Sequence, residues 1–371
     1  MAYFRVRPWY AKKSGGIYGV VWDGSSSSAW TRTDDAVGFS VPVPQMSDGN
    51  GGWTTGSSPF DNIMPWKGMV KVEDTNAGTL VAIPKFYFKL DYADPTATVK
   101  GLKIQISENQ FEGSQVSPAH MDRGDGNGER DVVYIGRYHC AVDTYKSTTG
   151  VSPQSSKTRS QFRENIHNLG SNIWQWDYAT LLTIQMLYLV EFADWDSQNK
   201  VGYGCGSKSR VGSTDAMTYH TGTTGTALTT TGTTTQYRYI EDLWGASMPF
   251  YDGVYFVYSS SKINMYAIKN PASFSDSSGG TNVGAVPSAS DRYIKAYNIS
   301  SANGFAWLMY PAEVINSIGY ICDRCSFSSS GVVLRGGGGD TSSPAYGLFY
   351  LLGTNNASFS SLTSSRLMKL P

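Results

Sequence analysis

One stretch of this chain constrains everything around it. Between Tyr178 and Asp194 the apolar residues Leu181, Leu182, Ile184, Met186, Leu187, Leu189 and Val190 fall on nearly every side of a helical wheel. A helix of that kind has no face to leave in water, so the remaining elements must enclose it. Asp177, directly ahead, supplies an N-cap carboxylate. Thr183, Gln185 and Glu191 interrupt the apolar run, which is too short to cross a bilayer. A second, short amphipathic helix is predicted over Gln161–Leu169, with Ser160 as N-cap and Gly170 as the stop.

The rest of the chain reads as short strands between turn residues. Before residue 95 these are Gly16–Trp22, Met69–Val72 and Val81–Leu90, and then come Leu102–Ile106 and Val132–Tyr138, separated by a polar loop over Ser117–Glu129. Later runs are Gly253–Tyr258, Met265–Ile268, Gly331–Leu334 and Gly347–Leu352. From Thr221 to Gln236 ten of sixteen residues are Thr and three are Gly, which predicts an exposed β-arm or loop. The pattern is α+β, with two helices and irregular antiparallel strands. It divides near residue 95 into a small β-rich module, 1–95, and a larger domain, 96–371.

Charge narrows the function. Charged residues make up 16% of the chain against the usual quarter or so, and Lys+Arg 30 balances Asp+Glu 30. No global field draws this protein to nucleic acid or to an acidic membrane. With 40 Gly, 24 Tyr and 10 Trp, its surface must be built from small polar and aromatic side chains, the chemistry of a binding face. The N-terminal Met1–Tyr10 lacks the apolar core of a secretory signal, which predicts a protein made without signal-directed export. The four cysteines, 140, 205, 322 and 325, are too scattered for a disulfide framework and suit assembly in a reducing cytoplasm.

An ordered set of segments carries a resemblance. Gln175–Ala193, Tyr237–Gly245, Tyr251–Gly253, Leu334–Gly337, Gly347–Tyr350 and Ser365–Met368 resemble successive signatures of C-type-lectin-fold proteins of phage tails. That family includes targets of diversity-generating retroelements and shares its fold with formylglycine-generating enzymes. The match covers roughly residues 100–371. The family's Trp-Gly-Asn-Val-Trp-Glu-Trp pattern becomes Ala-Ser-Met-Pro-Phe250 after Trp244-Gly245, and Thr33–Gly38 is similar to segments that precede the domain in phage proteins. The resemblance implies a C-type-lectin-like domain in a tail receptor-binding protein, noncatalytic and trimeric. It would reside in the virion tail after assembly in the bacterial cytoplasm, with a bacterial surface glycan or protein and other tail proteins as partners. It also implies a variable-type ligand surface over about 326–365. Within that segment Arg335 and Asp340 are the only formal charges, amid Ser, Gly, Thr, Asn, Tyr and Phe, a composition that independently suits recognition.

The expected contact residues are Asp340, Ser342, Ser343, Tyr346, Asn355, Asn356, Ser358, Phe359 and Ser361. Arg335, Arg366 and the tryptophans 174, 176, 244 and 307 are expected to hold structure rather than ligand. The rival readings are a virion baseplate or decoration component, a formylglycine-generating-type oxidase using Cys322 and Cys325, zinc held by cysteines with His139, and a glycosidase pair drawn from Glu241, Asp242 and Asp252. No cofactor is expected. Calcium in the Asp122–Asp131 loop is the alternative to a plain solvated turn, since its acids depart from EF-hand spacing.

Overall fold

The computed structural model describes residues 15–46, 54–204, 221–222, 234–337, 345–355 and 363–371. Helix α2 (Tyr178–Phe192) is buried along all 15 residues, as its all-round apolar surface requires. The Asp177 carboxylate accepts the Thr180 N–H at its start, and Ala193 closes it in the left-handed region at φ 51, short of the expected Asp194. Helix α1 (Arg159–His167) begins earlier than expected. Thr158, not Ser160, is its N-cap: the Thr158 hydroxyl accepts the Gln161 N–H while the Gln161 side chain accepts the Thr158 N–H, a reciprocal pair that Ser160 cannot make. A third short helix, α3 (Ser197–Val201), follows Asp196.

The fold is α+β, with few helices and mainly antiparallel sheets. One sheet runs Trp30–Asp34, Tyr18–Trp22, Leu102–Ser107, Tyr87–Asp91, Gln115–Val116. A second runs Ile173–Gln175, Leu367–Lys369, Val132–Gly136, Gly78–Pro84, Lys71–Asp74. The expected single run Val81–Leu90 is split between the two at Pro84, because proline has no N–H to continue a ladder. The largest sheet is built around Met248–Ser259 and receives the C-terminal strands Arg324–Phe327, Val333–Gly336 and Leu351–Thr354.

Residue 95 lies in the connection between Tyr87–Asp91 and Leu102–Ser107, which pair with each other, and Tyr18–Trp22 pairs with Leu102–Ser107 as well. One hydrophobic core runs from Val20 and Trp22 through α2 to Leu370. Strands before and after residue 95 therefore share one sheet and contribute to one core among the described residues. The Thr-rich segment also departs from its expected exposure where it can be followed. Thr221–Gly222 pairs in parallel with Gln45–Met46, and Thr234, Thr235 and Gln236 are buried, so tertiary pairing overrides their polar composition; residues 223–233 lie outside the described residues.

Buried charge braces this framework. Asp252, fully buried, receives Arg163 through Nε at 2.6 Å and Nη2 at 2.9 Å, and Arg159 Nε approaches to 3.7 Å. Asp276 bridges the same two guanidiniums, at 2.7 and 2.6 Å. Glu191, the one carboxylate inside α2, gathers Ser58 at 2.6 Å, Tyr237 at 2.9 Å and the Arg238 guanidinium, tying two segments to the central helix. His120 and His139 obey one rule. Each Nε2 abuts a backbone carbonyl, of Ile83 and Asp242, and so carries the proton, while each Nδ1 accepts from a serine, Ser117 at 2.6 Å and Ser364 at 2.7 Å. Burial, with nearby cations, holds both rings neutral, His120 down to about 4 and His139 well below its ordinary value.

Candidate ligand-binding face

The C-terminal segment is anchored as strands inside the largest sheet. Val333, Leu334, Leu351 and Phe327 are buried, and Arg335 pairs opposite Leu352 in the ladder between Val333–Gly336 and Leu351–Thr354. The stretch before Leu351, expected as strand from Gly347, is instead a turn. Four consecutive N–H groups there find side-chain acceptors. Tyr346 donates to Gln198 Oε1 at 3.1 Å, Gly347 to Asp323 Oδ1 at 2.7 Å, Leu348 to Ser197 Oγ at 2.9 Å and Phe349 to Asp323 Oδ2 at 2.8 Å. A backbone that leaves the ladder must be satisfied elsewhere, and α3 and Asp323 do this. Burial outweighs the two N–H donors and pushes the Asp323 carboxyl up to about 8.

On this rigid turn Tyr346 stands half-buried at the rim of a polar, aromatic cluster. Its hydroxyl lies 3.2 Å from Asp291 Oδ2, and Arg324 Nη1 donates to the same oxygen at 2.7 Å. Arg324 Nη2 reaches the Tyr293 hydroxyl at 3.0 Å, with the guanidinium 4.4 Å from that ring's centre. The Tyr346 and Tyr350 rings meet edge-on at 4.8 Å. Register explains the assembly: Tyr293 pairs directly with Arg324, so two residues 31 apart in sequence point to one side of the sheet rim. The Asp291 and Arg324 side chains keep 41% and 26% exposure, although the Arg324 Nε is buried. Burial first, then the Asp291 charge, raises the Tyr346 phenol, which stays a donor at neutral pH.

Of the nine expected contact residues, Tyr346 and Asn355 fall among the described ones; Asp340, Ser342, Ser343, Asn356, Ser358, Phe359 and Ser361 lie outside them. Tyr346 and Asn355 are not brought together. Tyr346 packs beside Tyr350 at one end of the Leu351–Thr354 strand, and Asn355, exposed, stands past the other, about 13 Å of extended chain away. Asp291, Tyr293 and Arg324 escaped sequence reasoning because they precede the segment whose composition drew attention. Only strand register places them beside it.

No protein-family model matches this chain, and no curated protein matches it.

The other expected chemistries find these surroundings. Cys322 and Cys325 are buried, and desolvation raises both thiols, Cys325 to about 12. Cys140 is buried likewise, and Cys205 lies outside the described residues. Glu241, Asp242 and Asp252 are all buried, Asp252 beneath Arg159 and Arg163. In the acidic loop, Arg123 turns inward to pair with Asp177 at 2.5 Å and Arg130 pairs with Asp125; Asp122 caps the Gly124 N–H. No group of three or more metal-ligating side chains gathers among the described residues, and no helix there is long and apolar enough to cross a membrane. Arg335 is buried over the Phe250 ring and donates to Thr354 Oγ1 at 2.9 Å, while Arg366 donates to the carbonyls of Gly136, Arg137 and Glu241. Trp176, Trp244 and Trp307 are core residues as expected, but Trp174 is only half-buried, because its strand lies at the edge of its sheet.

Proposed function

We propose that this chain is a noncatalytic receptor-binding protein of a phage or prophage tail, whose C-type-lectin-like domain binds a bacterial surface glycan or protein. The observation that carries the reading is the Asp291–Tyr293–Arg324–Tyr346 cluster. Partly exposed hydrogen-bonding and aromatic groups are presented by two paired strands and by Tyr346 on a turn whose N–H groups at 346–349 are held by buried acceptors, so ligand contacts there cost little ordering. Neither buried thiol of the Cys322/Cys325 pair is poised as a thiolate, which supports packing over oxidase chemistry. Before residue 95 the large apolar side chains Val37, Val41, Val43 and Val70 are exposed, which supports contact of that part with neighbouring tail proteins or with further copies in a trimer.

Particles carrying both Tyr346→Ala and Arg324→Ala test the site. They are expected to assemble and to lose host adsorption. A folded double variant that adsorbs normally overturns the site, and one that fails to assemble favours the baseplate or decoration role. A monomer at micromolar concentration overturns the trimer. A near-copy of the 3′ coding region beside the gene, differing at adenines, identifies the segment as diversified.

A further inference from the structure

A cleft on another part of the molecule shares no residue with the Tyr346 cluster. It is a groove open to solvent between α1, the Ile173–Gln175 strand and the turn Pro271–Ser273, with a volume of about 390 Å³, in the lower part of the range of small-molecule sites, about 300–1,000 Å³. Its apolar wall comprises Trp174, Pro271 and Phe274, with His167 stacked on the indole at 3.9 Å and 18° between planes.

Four polar groups around that wall have spare capacity among the described residues. His167 Nδ1 faces the Ile173 carbonyl at 2.9 Å and therefore carries the proton, leaving Nε2 as an acceptor without a partner. The Trp174 indole N–H and the exposed Glu164 carboxylate are likewise unpartnered. Arg163 spends Nε and Nη2 on Asp252 and Asp276, and its Nη1 donates to neither.

We infer that this cleft binds a single pyranose unit of a glycan. Two donors, two acceptors and an aromatic wall complement a ring with a C–H face and a hydroxyl rim. A simple cation leaves the indole N–H and the guanidinium unmatched and meets a positive charge. A simple anion meets Glu164. A purely apolar ligand covers four polar groups without satisfying them.

The test is titration of the ¹⁵N-labelled full chain with methyl glycosides of glucose, galactose and N-acetylglucosamine, and separately with tetramethylammonium and acetate. The readout is the Trp174 indole N–H resonance, assigned by its loss in Trp174→Phe. At least one glycoside is expected to shift it saturably. Glu164→Ala, at an exposed position that leaves the fold intact, is expected to weaken that response by about tenfold, and Tyr346→Ala to leave it unchanged, which separates this site from the receptor-binding reading. The inference is overturned if no glycoside moves the resonance, if tetramethylammonium or acetate alone does so, or if Glu164→Ala leaves the glycoside response unchanged.

Discussion

Two ionic clusters in this protein use the same residue types to opposite ends. Around Asp252, the carboxylate and Arg159 lie wholly out of water at 0% exposure, while Arg163 and Asp276 at the edge of the cluster keep 20% and 17%. Around Asp291, one arginine, one aspartate and two tyrosines make contacts of similar length, but Asp291 keeps 41% exposure. Burial decides the difference. In the first cluster each charge depends on its partner, since losing one strands another in a medium that cannot solvate it. In the second, water competes for every contact, so the pairs contribute little stability and their edges can be handed to a ligand.

The largest test of that contrast is Asp252→Ala, which leaves Arg159 and Arg163 short of a carboxylate. It is expected to cost about 3–5 kcal/mol, read as a fall in the denaturant midpoint. A cost below about 1 kcal/mol makes the two clusters equivalent and removes the distinction.

Acid probes buried polarity without mutation. His120 is held neutral, its pKa lowered from 6.5 to about 4, so the unfolded chain takes up the proton first. The stability this neutral ring contributes is complete above pH 6.5 and is lost as pH falls toward 4, by about 3 kcal/mol at about 1.4 kcal/mol per unit. His139 acts in the same direction. His120→Gln, which still donates and accepts but does not titrate, should flatten the decline measured by chemical denaturation across that range. A slope unchanged in the variant refutes the assignment.

A smaller loss is expected at the support beneath the exposed cluster. Asp323→Ala frees the N–H groups of Gly347 and Phe349, at about 1 kcal/mol each for the lost bonds. It should also speed amide exchange across residues 346–349. Exchange that stays slow there shows that the turn is held by packing alone.

Smallest is Arg324→Ala in the exposed cluster itself, expected to move stability by about 0–1 kcal/mol while removing the bridge between Asp291 and Tyr293. A loss as large as that of Asp252→Ala makes Arg324 a framework residue and withdraws it from the ligand face.

How far the fold was legible in the sequence follows from the range of the forces involved. The α2 helix and its Asp177 cap could be read because both depend on residues within one turn of each other. The split at Pro84 was equally local, in a proline that can donate no hydrogen bond, although the apolar pattern ran across it. The start of α1 was missed by two residues because Thr158 and Ser160 are both cap formers, and only the reciprocal bond from Gln161 chooses between them.

The candidate site was legible in part. Composition pointed to the C-terminal segment, and Tyr346 is there on a partly exposed rim. Its partners Asp291, Tyr293 and Arg324 arrive by strand register, and Gln198 and Asp323 by the packing of α3 and a buried carboxyl; no local periodicity encodes either. Trp174 illustrates the same limit, since an indole beside apolar residues reads as core until the sheet edge leaves it facing a cleft. The sequence by itself determined which helix must be enclosed, the α+β character and the near absence of net charge, because these are sums or short-range patterns. Which carboxylates became structural and which stayed accessible was decided by the tertiary structure alone, because desolvation depends on what packs above a side chain, and those atoms come from residues far away along the chain.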